Sequence, residues 1–325
     1  MIETRRVLVM LASFCGVMAL PVVCQAQGYP DRAIRFIVPF APGGSTDFLA
    51  RMLGQKFTEA WKQQIIVDNR GGGGGTIGAA LASSSPPDGY TIVLTAISHA
   101  TAAGIYKKLP YDLTKDLQAV SLIATQPNVL AVHPSLPVKT TKEFIALAKS
   151  KPGELAYSTT GNGSAQHLMG ELFKAQGKVD IIHVPYKGTA PALTALIAGH
   201  VSSSIQPLIN AAPNAKSGRI RLLALTGAER SPVVPEVPTM MESGLPQFNV
   251  VAWYGVHAPS GTPKSAIDKI NAEMTRTLNL VEIKEQLNRG GLDPSPNSPD
   301  QFAKFVEAEV VRWKKVIADA GIKGD

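Results

Sequence analysis

One local plan occurs twice along the chain. From Ile34 the sequence runs through IRFIVPF, STDFLARMLGQKFTEAW, QIIVD, TIGAALASS and YTIVLTAI, so that short β-branched runs alternate with segments of helical apolar spacing. The alternation restarts with ELAYSTT, GSAQHLMGELFKAQG, VDIIHVPY, APALTALIAG, HVSSSIQ and RIRLLALTG. Strands separated by amphipathic helices read as crossover units, so each block predicts a parallel sheet with helices on its faces and an α/β fold class. A chain of 325 residues is long enough for two medium α/β domains, each with its own core.

Two long strand-like stretches lack a helix, AVSLIATQPNVLAVHP (Ala119 to Pro134) and QFNVVAWYGVHAP (Gln247 to Pro259). These are the expected crossings between domains. They make the first domain discontinuous, 27–125 with 254–325, leave 126–253 as the second, and give a two-segment hinge. After the second crossing, Thr262 as N-cap and Pro263 as first helical residue predict a helix start. The last segment carries a Ser298 to Gln301 capping box and an apolar stripe of Phe302, Phe305, Val306, Val310, Trp313 and Ile317. That pattern predicts a C-terminal helix packed back on the first domain.

Residues 1–26 have the pattern of a secretory signal peptide: Arg5 and Arg6, an apolar run from Val7 to Leu20, Pro21, and small or polar residues around Ala26. The run is too short for a membrane anchor. Cleavage is expected near Ala26 and the mature protein in the periplasm, by general secretion, with the Arg pair leaving twin-arginine export open. Both cysteines, Cys15 and Cys24, fall in this leader, so the exported chain is expected to hold neither a disulfide nor a thiol nucleophile. Val22 and Val23 are larger than a lipid-attachment site at Cys24 prefers. The net charge of +7 is scattered, with no basic run longer than Lys107-Lys108 or Lys314-Lys315, which argues against a nucleic-acid groove.

The stretch NRGGGGGTIGAALA contains five consecutive glycines, and Gly73, Gly75 and Gly78 fit G-x-G-x-x-G. A dinucleotide site also needs an acidic residue at the end of the next strand. Here that strand ends in Ser98 and His99, while Asp88 precedes it. The run follows the second strand, not the first, and lacks the lysine of a phosphate-binding loop. It reads as a loosened turn beside the cleft, with contact to a ligand only from Thr76 or Ile77.

Two quieter turns are better anion sites. APGGSTD, with Gly43, Gly44 and Ser45, opens a helix after IRFIVPF. GNGSAQH, with Gly161, Gly163 and Ser164, opens one after ELAYSTT. The first N–H groups of a helix have no partner within it, the helix dipole favours an anion there, and glycine lets a ligand approach the backbone. Each alone is equally a structural strand-to-helix turn. Facing each other across a hinged cleft, they would be two jaws on one anionic ligand at the carboxyl ends of the strands.

The stretches YPDRAIRFIVPFAPGGSTDFLAR, NRGGGGGTIGA, PPDGYTIVLT, KPGELAYSTTGNGSAQHLMGELFK, HVPYKGTAPALTALIAG, VPTMMESGLPQF and WYGVHAPSGTP occur in one order over the whole mature chain. They resemble the Bug family, the periplasmic solute-binding receptors of tripartite tricarboxylate transport systems. The resemblance implies a type II periplasmic-binding-protein fold that closes like a flytrap on a small mono- or dicarboxylate, for delivery to a membrane permease. It implies no cofactor and requires no more than a monomer. In that family the carboxylate is held largely by backbone amides, hydroxyls and water. Carried over by position, the first-domain contacts would be Phe40, Pro42, Gly43, Gly44, Asp47 and Ser98. Those of the second would be Ser158, Thr160, Gly161, Asn162, Gly163, Ser164, His167, Tyr186 and Lys187, with Gln206 at the distal end of the ligand.

Some of these have rival readings. Asp47 in a first helical turn also reads as a capping residue, His167 as a packing residue, Tyr186 as core and Lys187 as solvent-exposed. Relatives tend to carry acidic residues where this chain has Ala195 and Gln206, which argues against an amino group on the ligand and for a neutral or second carboxylate end. Relatives also read NRPGAGG where Gly71 and Gly73 stand here.

Catalysis finds no footing in these residues. There is no G-x-S-x-G elbow, and Ser164 near His167 has no orienting acid beside it. His99, His133, His167, His183, His200 and His257 are dispersed, without H-x-x-x-H spacing, so neither a hydrolase nor a metal site is expected. A receptor feeding a membrane sensor instead of a permease would use the same closed form, and that alternative stays open.

Overall fold

The computed structural model of the chain describes residues 28–319. The expected signal peptide, with Cys15, Cys24 and the cleavage point near Ala26, lies outside the described residues.

The first block folds as its pattern predicts: β1 (Ile34–Val38), α1 (Ser45–Trp61), β2 (Ile65–Asn69), α2 (Thr76–Ser83), β3 (Thr91–Ala96) and α3 (Ile97–Ile105). β1 lies between β2 and β3 and pairs with both in parallel. The second block gives α4 (Thr141–Ser150), β5 (Ala156–Thr159), α5 (Ala165–Gly177), β6 (Ile182–Pro185), α6 (Thr189–Ile197), β7 (Ser203–Pro207), α7 (Leu208–Lys216) and β8 (Arg221–Leu225). Here β5 lies between β6 and β7, again in parallel.

The two blocks meet through the long strand β4 (Leu117–Val132). Its residues from Leu117 to Pro127 pair with β9 (Val251–Pro259), and those from Asn128 to Val132 pair with β7 and β8. One strand therefore leaves one sheet and enters the other. All of these pairings are antiparallel, as is β9 on β3. Each sheet is thus mixed, parallel where helices cross over and antiparallel at the connecting strands. The parallel pairing expected of the crossover units holds within β1–β3 and β5–β7, and the helix-free strands add antiparallel pairs because strands without an intervening crossover can pair in either direction.

The C-terminal part adds α8 (Lys264–Leu278), α9 (Val281–Arg289), the short β10 (Asp293–Pro294) and α10 (Pro299–Asp319). The capping box forms as expected: Gln301 N–H donates to Ser298 Oγ (3.2 Å), and Ser298 N–H to Gln301 Oε1 (3.0 Å). Phe302, Val306, Trp313 and Ile317 are buried against α3 and β4, each side chain contributing about 1.5–3 kcal/mol. Inside that contact the indole N–H groups of Trp253 and Trp313 both donate to Glu309 Oε2, at 3.0 and 2.9 Å. The start of α8 differs from expectation by one residue. Pro263 is its N-cap, and the Thr262 hydroxyl turns back to donate to Pro259 O (2.7 Å), closing the turn that precedes the helix.

Candidate functional site

Every expected site residue sits at or just past the carboxyl end of a strand, where open α/β sheets carry their ligands. The turns on which they lie make contact, but not in the expected pairs. The β1–α1 turn meets the start of α6, not the start of α5. A Cβ placed on Gly44 would lie 3.2 Å from the Thr189 side chain, and one on Gly43, at φ +86, 3.3 Å from Ala190 Cβ. Ala41 N–H donates across to Lys187 O (3.1 Å), and Asn210 Nδ2 in the first turn of α7 to Gly43 O (3.4 Å).

The β5–α5 turn meets the five-glycine run. A Cβ on Gly74 would come within 2.5 Å of Asn162 O, 2.8 Å of Ser164 N and 3.0 Å of Gly163 C. Only a residue without a side chain fits between these backbones, and Gly74, at φ +64, also holds a left-handed conformation that glycine adopts freely. Tyr106 closes this side by donating its hydroxyl to Asn162 O (2.8 Å), while Thr101 Oγ1 lies 3.4 Å from Gly163 O. The run is the turn and helix start expected of it, and its backbone additionally packs against the β5–α5 turn. Thr76 donates to Gly73 O within its own turn and Ile77 is exposed, whereas the backbone at Gly74 forms part of the contact itself.

Behind the turns lies a polar layer. Ser45 and Tyr254 share a 3.0 Å hydrogen bond between hydroxyls, and the Tyr254 hydroxyl donates to Gln126 Oε1 (3.3 Å). Burial pushes the Tyr254 phenol up to about 12, so it stays a donor. On the other sheet Ser158 Oγ lies 3.0 Å from Ala192 O and 2.8 Å from Ser204 Oγ, and Gln206 Nε2 donates to Ser204 Oγ (2.7 Å). Thr160 donates to Gln166 Oε1 (2.7 Å).

Two expected ligand residues are already engaged in holding their turns. Asp47 accepts from Gly43 N–H, Asn69 Nδ2 and Arg51 Nε, all at 3.0 Å. Burial alone would raise its carboxyl, but the hydrogen bonds from Arg51, Gly43 and Asn69 outweigh it and hold the group below its ordinary value. His167 accepts the Gly163 N–H at Nδ1 (3.2 Å) and stacks on His183 with centroids 4.0 Å apart. Ser164 caps α5 by accepting the His167 N–H (3.2 Å). Phe40 is buried with its ring edge toward His99, Ser98 is buried at the start of α3, Pro42 and Lys187 are exposed, and Tyr186 packs partly against the core of the second sheet.

Ser45, the hydroxyl expected at the start of α1, takes part as predicted, while Tyr106, Thr189, Asn210 and Tyr254 join this cluster without having been expected there. Of these four, only Thr189 carries a sequence signal, a hydroxyl next to glycine at a helix start. A groove of about 1490 Å³ bordered by Ile209, Arg221 and Arg289 contains none of the expected residues. Among the described residues no group of His, Cys, Asp or Glu side chains is placed to hold a metal ion, and no helix is long and apolar enough to cross a membrane.

Protein BugT of Bordetella pertussis is 35% identical over 320 residues, covering 98% of both chains. The solved structure of R. palustris Rpa4515 with adipate superposes with a TM-score of 0.88 at 38% identity, covering 91% of this chain and 99% of that one. MatC (Rpa3494) from Rhodopseudomonas palustris with bound malate gives 0.86 at 35% identity, covering 89% and 100%. These neighbours have the two-domain α/β fold of periplasmic binding proteins, and this chain shares it. Residues 49–322 match the model of the tripartite tricarboxylate transporter family receptor, and with that match and BugT's identity over nearly the whole length, the chain belongs to this receptor family.

Proposed function

We propose that this chain is an exported receptor that closes on a small mono- or dicarboxylate between two domains, 27–125 with 254–325 and 126–253, and delivers it to a permease of the tripartite tricarboxylate type. The observation that carries the reading is the convergence of helix starts. α1 and α6 bring their first turns within side-chain contact, with Ser45, Thr46 and Thr189 buried there. Both starts aim unpartnered N–H groups and the positive end of a dipole at the junction. The carboxylate nearest by, Asp47, is neutralised by Arg51 and spent on its own turn. An anion entering here therefore meets donors without a competing charge, as P-loop-like helix starts do for phosphate.

In this reading Gly43, Gly44, Ser98, Thr160, Gly161, Asn162, Gly163, Ser164 and Gln206 face the ligand, with Phe40, Pro42, Tyr186 and Lys187 at its border. Asp47, Ser158 and His167 hold the turns in shape. The malate and adipate in the MatC and Rpa4515 structures support a carboxylate as the ligand class. The test is thermal unfolding of the purified protein against a panel of mono- and dicarboxylates, sugars and amines. A ligand at a hundred times its Kd adds about 2.7 kcal/mol to folding, a readily measured rise in midpoint. Midpoints that rise with sugars or amines and with no carboxylate would refute the anion clamp.

A further inference from the structure

We propose that the end of the ligand away from the clamped carboxylate is a neutral hydrogen-bond donor, a hydroxyl or a primary amide, read by the side-chain oxygens of Gln206 and Asn210. The proposal rests on carboxylate capture in the cleft and adds the chemistry of the other end.

Gln206 is the penultimate residue of β7 and is 1% exposed, and Asn210 follows in the first turn of α7. Both amides are held by their nitrogens. Ser204 Oγ donates to Ser158 O (3.0 Å), so its lone pairs face Gln206 and take the Nε2 hydrogen at 2.7 Å. That turns Gln206 Oε1 away from the ladder. At Asn210 the partner of Nδ2 is the carbonyl of Gly43, which can only accept, so Oδ1 is the atom left over. Gln206 Oε1 and Asn210 Oδ1 are both buried and neither has a hydrogen-bond partner among the described residues.

A buried acceptor without a donor costs free energy comparable to a lost hydrogen bond, and such groups in folded proteins nearly always have a partner. These two oxygens stand at one strand-to-helix junction, tied through Asn210 to the β1–α1 turn and through Ser158 to α6. A ligand held by the starts of α1 and α6 lies against this junction, and only a donor completes it. An ionised second carboxylate brings acceptors alone and would be repelled by both oxygens. An ammonium brings donors but also a charge, and Asp47 in the first turn of α1 is already bound to Arg51, Gly43 and Asn69. A hydroxyl or amide N–H satisfies the pair at no electrostatic cost.

The test is titration calorimetry of the full mature chain with two homologous series. One is adipate, its monoamide, 6-hydroxyhexanoate and 6-aminohexanoate, and the other consists of the four-carbon counterparts. The expected result is that the monoamide or hydroxy acid binds at least about tenfold more tightly than the diacid of the same length. A diacid that binds as tightly or more tightly in both series overturns this proposal and leaves carboxylate capture standing. Absence of binding by every member, with no rise in unfolding midpoint, overturns capture itself. Gln206→Glu supplies the second readout, because a carboxylate in the same place should move the preference toward the amino acid by about tenfold relative to the hydroxy acid. An unchanged ranking in that variant, with its ligand-free unfolding midpoint equal to the parent's, removes Gln206 from the reading role.

Discussion

Replacing Gly74 by alanine separates closure from folding. The residue sits at φ 64 and ψ 18, a left-handed conformation that costs an alanine about 1–2 kcal/mol whether or not the two halves touch. That part of the penalty lowers stability alone, by roughly 2–3 °C in unfolding midpoint for a chain of this size. The second part arises only when the β5–α5 turn is in place, where the new methyl meets Asn162 O at 2.5 Å. Ordinary contact begins near 3.4 Å, so the turns must part by roughly 1 Å, and both partners are backbone that cannot rotate away. Overpacking of this kind costs about 1–3 kcal/mol, here charged to the closed form only, which weakens ligand binding by roughly 5- to 150-fold. The measurement is calorimetry with the tightest carboxylate of the panel, alongside thermal unfolding without ligand. Gly218→Ala is the control, because Gly218 has φ +72 and nothing within 4 Å of a would-be Cβ. It should lose stability and keep its affinity. If Gly74→Ala binds like the parent, or both variants weaken alike, the contact between the turns plays no part in closure.

Gly78→Ala probes the third glycine of the same motif. Its Cβ would lie 2.7 Å from Pro39 Cα and 3.0 Å from Arg70 O, so denaturant titration should show a net loss of about 1–2 kcal/mol despite alanine's better helix propensity. A gain of stability would mean that close packing does not require glycine there. A third expectation concerns acid. Burial lowers His99 to about 4 and His257 to about 3, the latter helped by the nearby His99, while both titrate near 6.5 when unfolded. Between about pH 6.5 and 4 the unfolded chain therefore binds protons that the folded one refuses, so stability falls as pH falls through that window. Unfolding near pH 5 should take up close to two protons from this pair, and His257→Gln should remove about half of that slope. An unchanged slope in the variant would show that His257 is not buried neutral.

The order and type of the elements were readable because periodicity is local. STDFLARMLGQKFTEAW became α1 residue for residue, and the capping box at Ser298 and Gln301 formed as written. The crossing stretches were also visible, since β4 carries apolar runs on both sides of Pro127 with no helical spacing. What the residues could not reveal was partnership. Nothing in β9 states that it pairs antiparallel with β3 and β4, and nothing in APGGSTD states that its neighbour is Thr189 and not Ser164. Those pairings follow from how two domains meet. The five glycines were conspicuous, but their reason, a backbone-to-backbone approach at Gly74, lies in residues ninety positions away. Thr262 misled because a hydroxyl before a proline serves a turn as readily as a helix cap.

Much of the contact between the turns is main chain: Ala41 N–H on Lys187 O, and Gly74 against Asn162 O and Ser164 N. A latch built from peptide groups is indifferent to most side-chain replacements, while the amides at Gln206 and Asn210 are ordinary side chains that one base change can alter. Such a receptor can be retuned to a new solute without being taught again how to shut. For anyone redesigning it as a biosensor, the glycines are the part to leave alone, and under the proposed reading the β7–α7 junction is the dial.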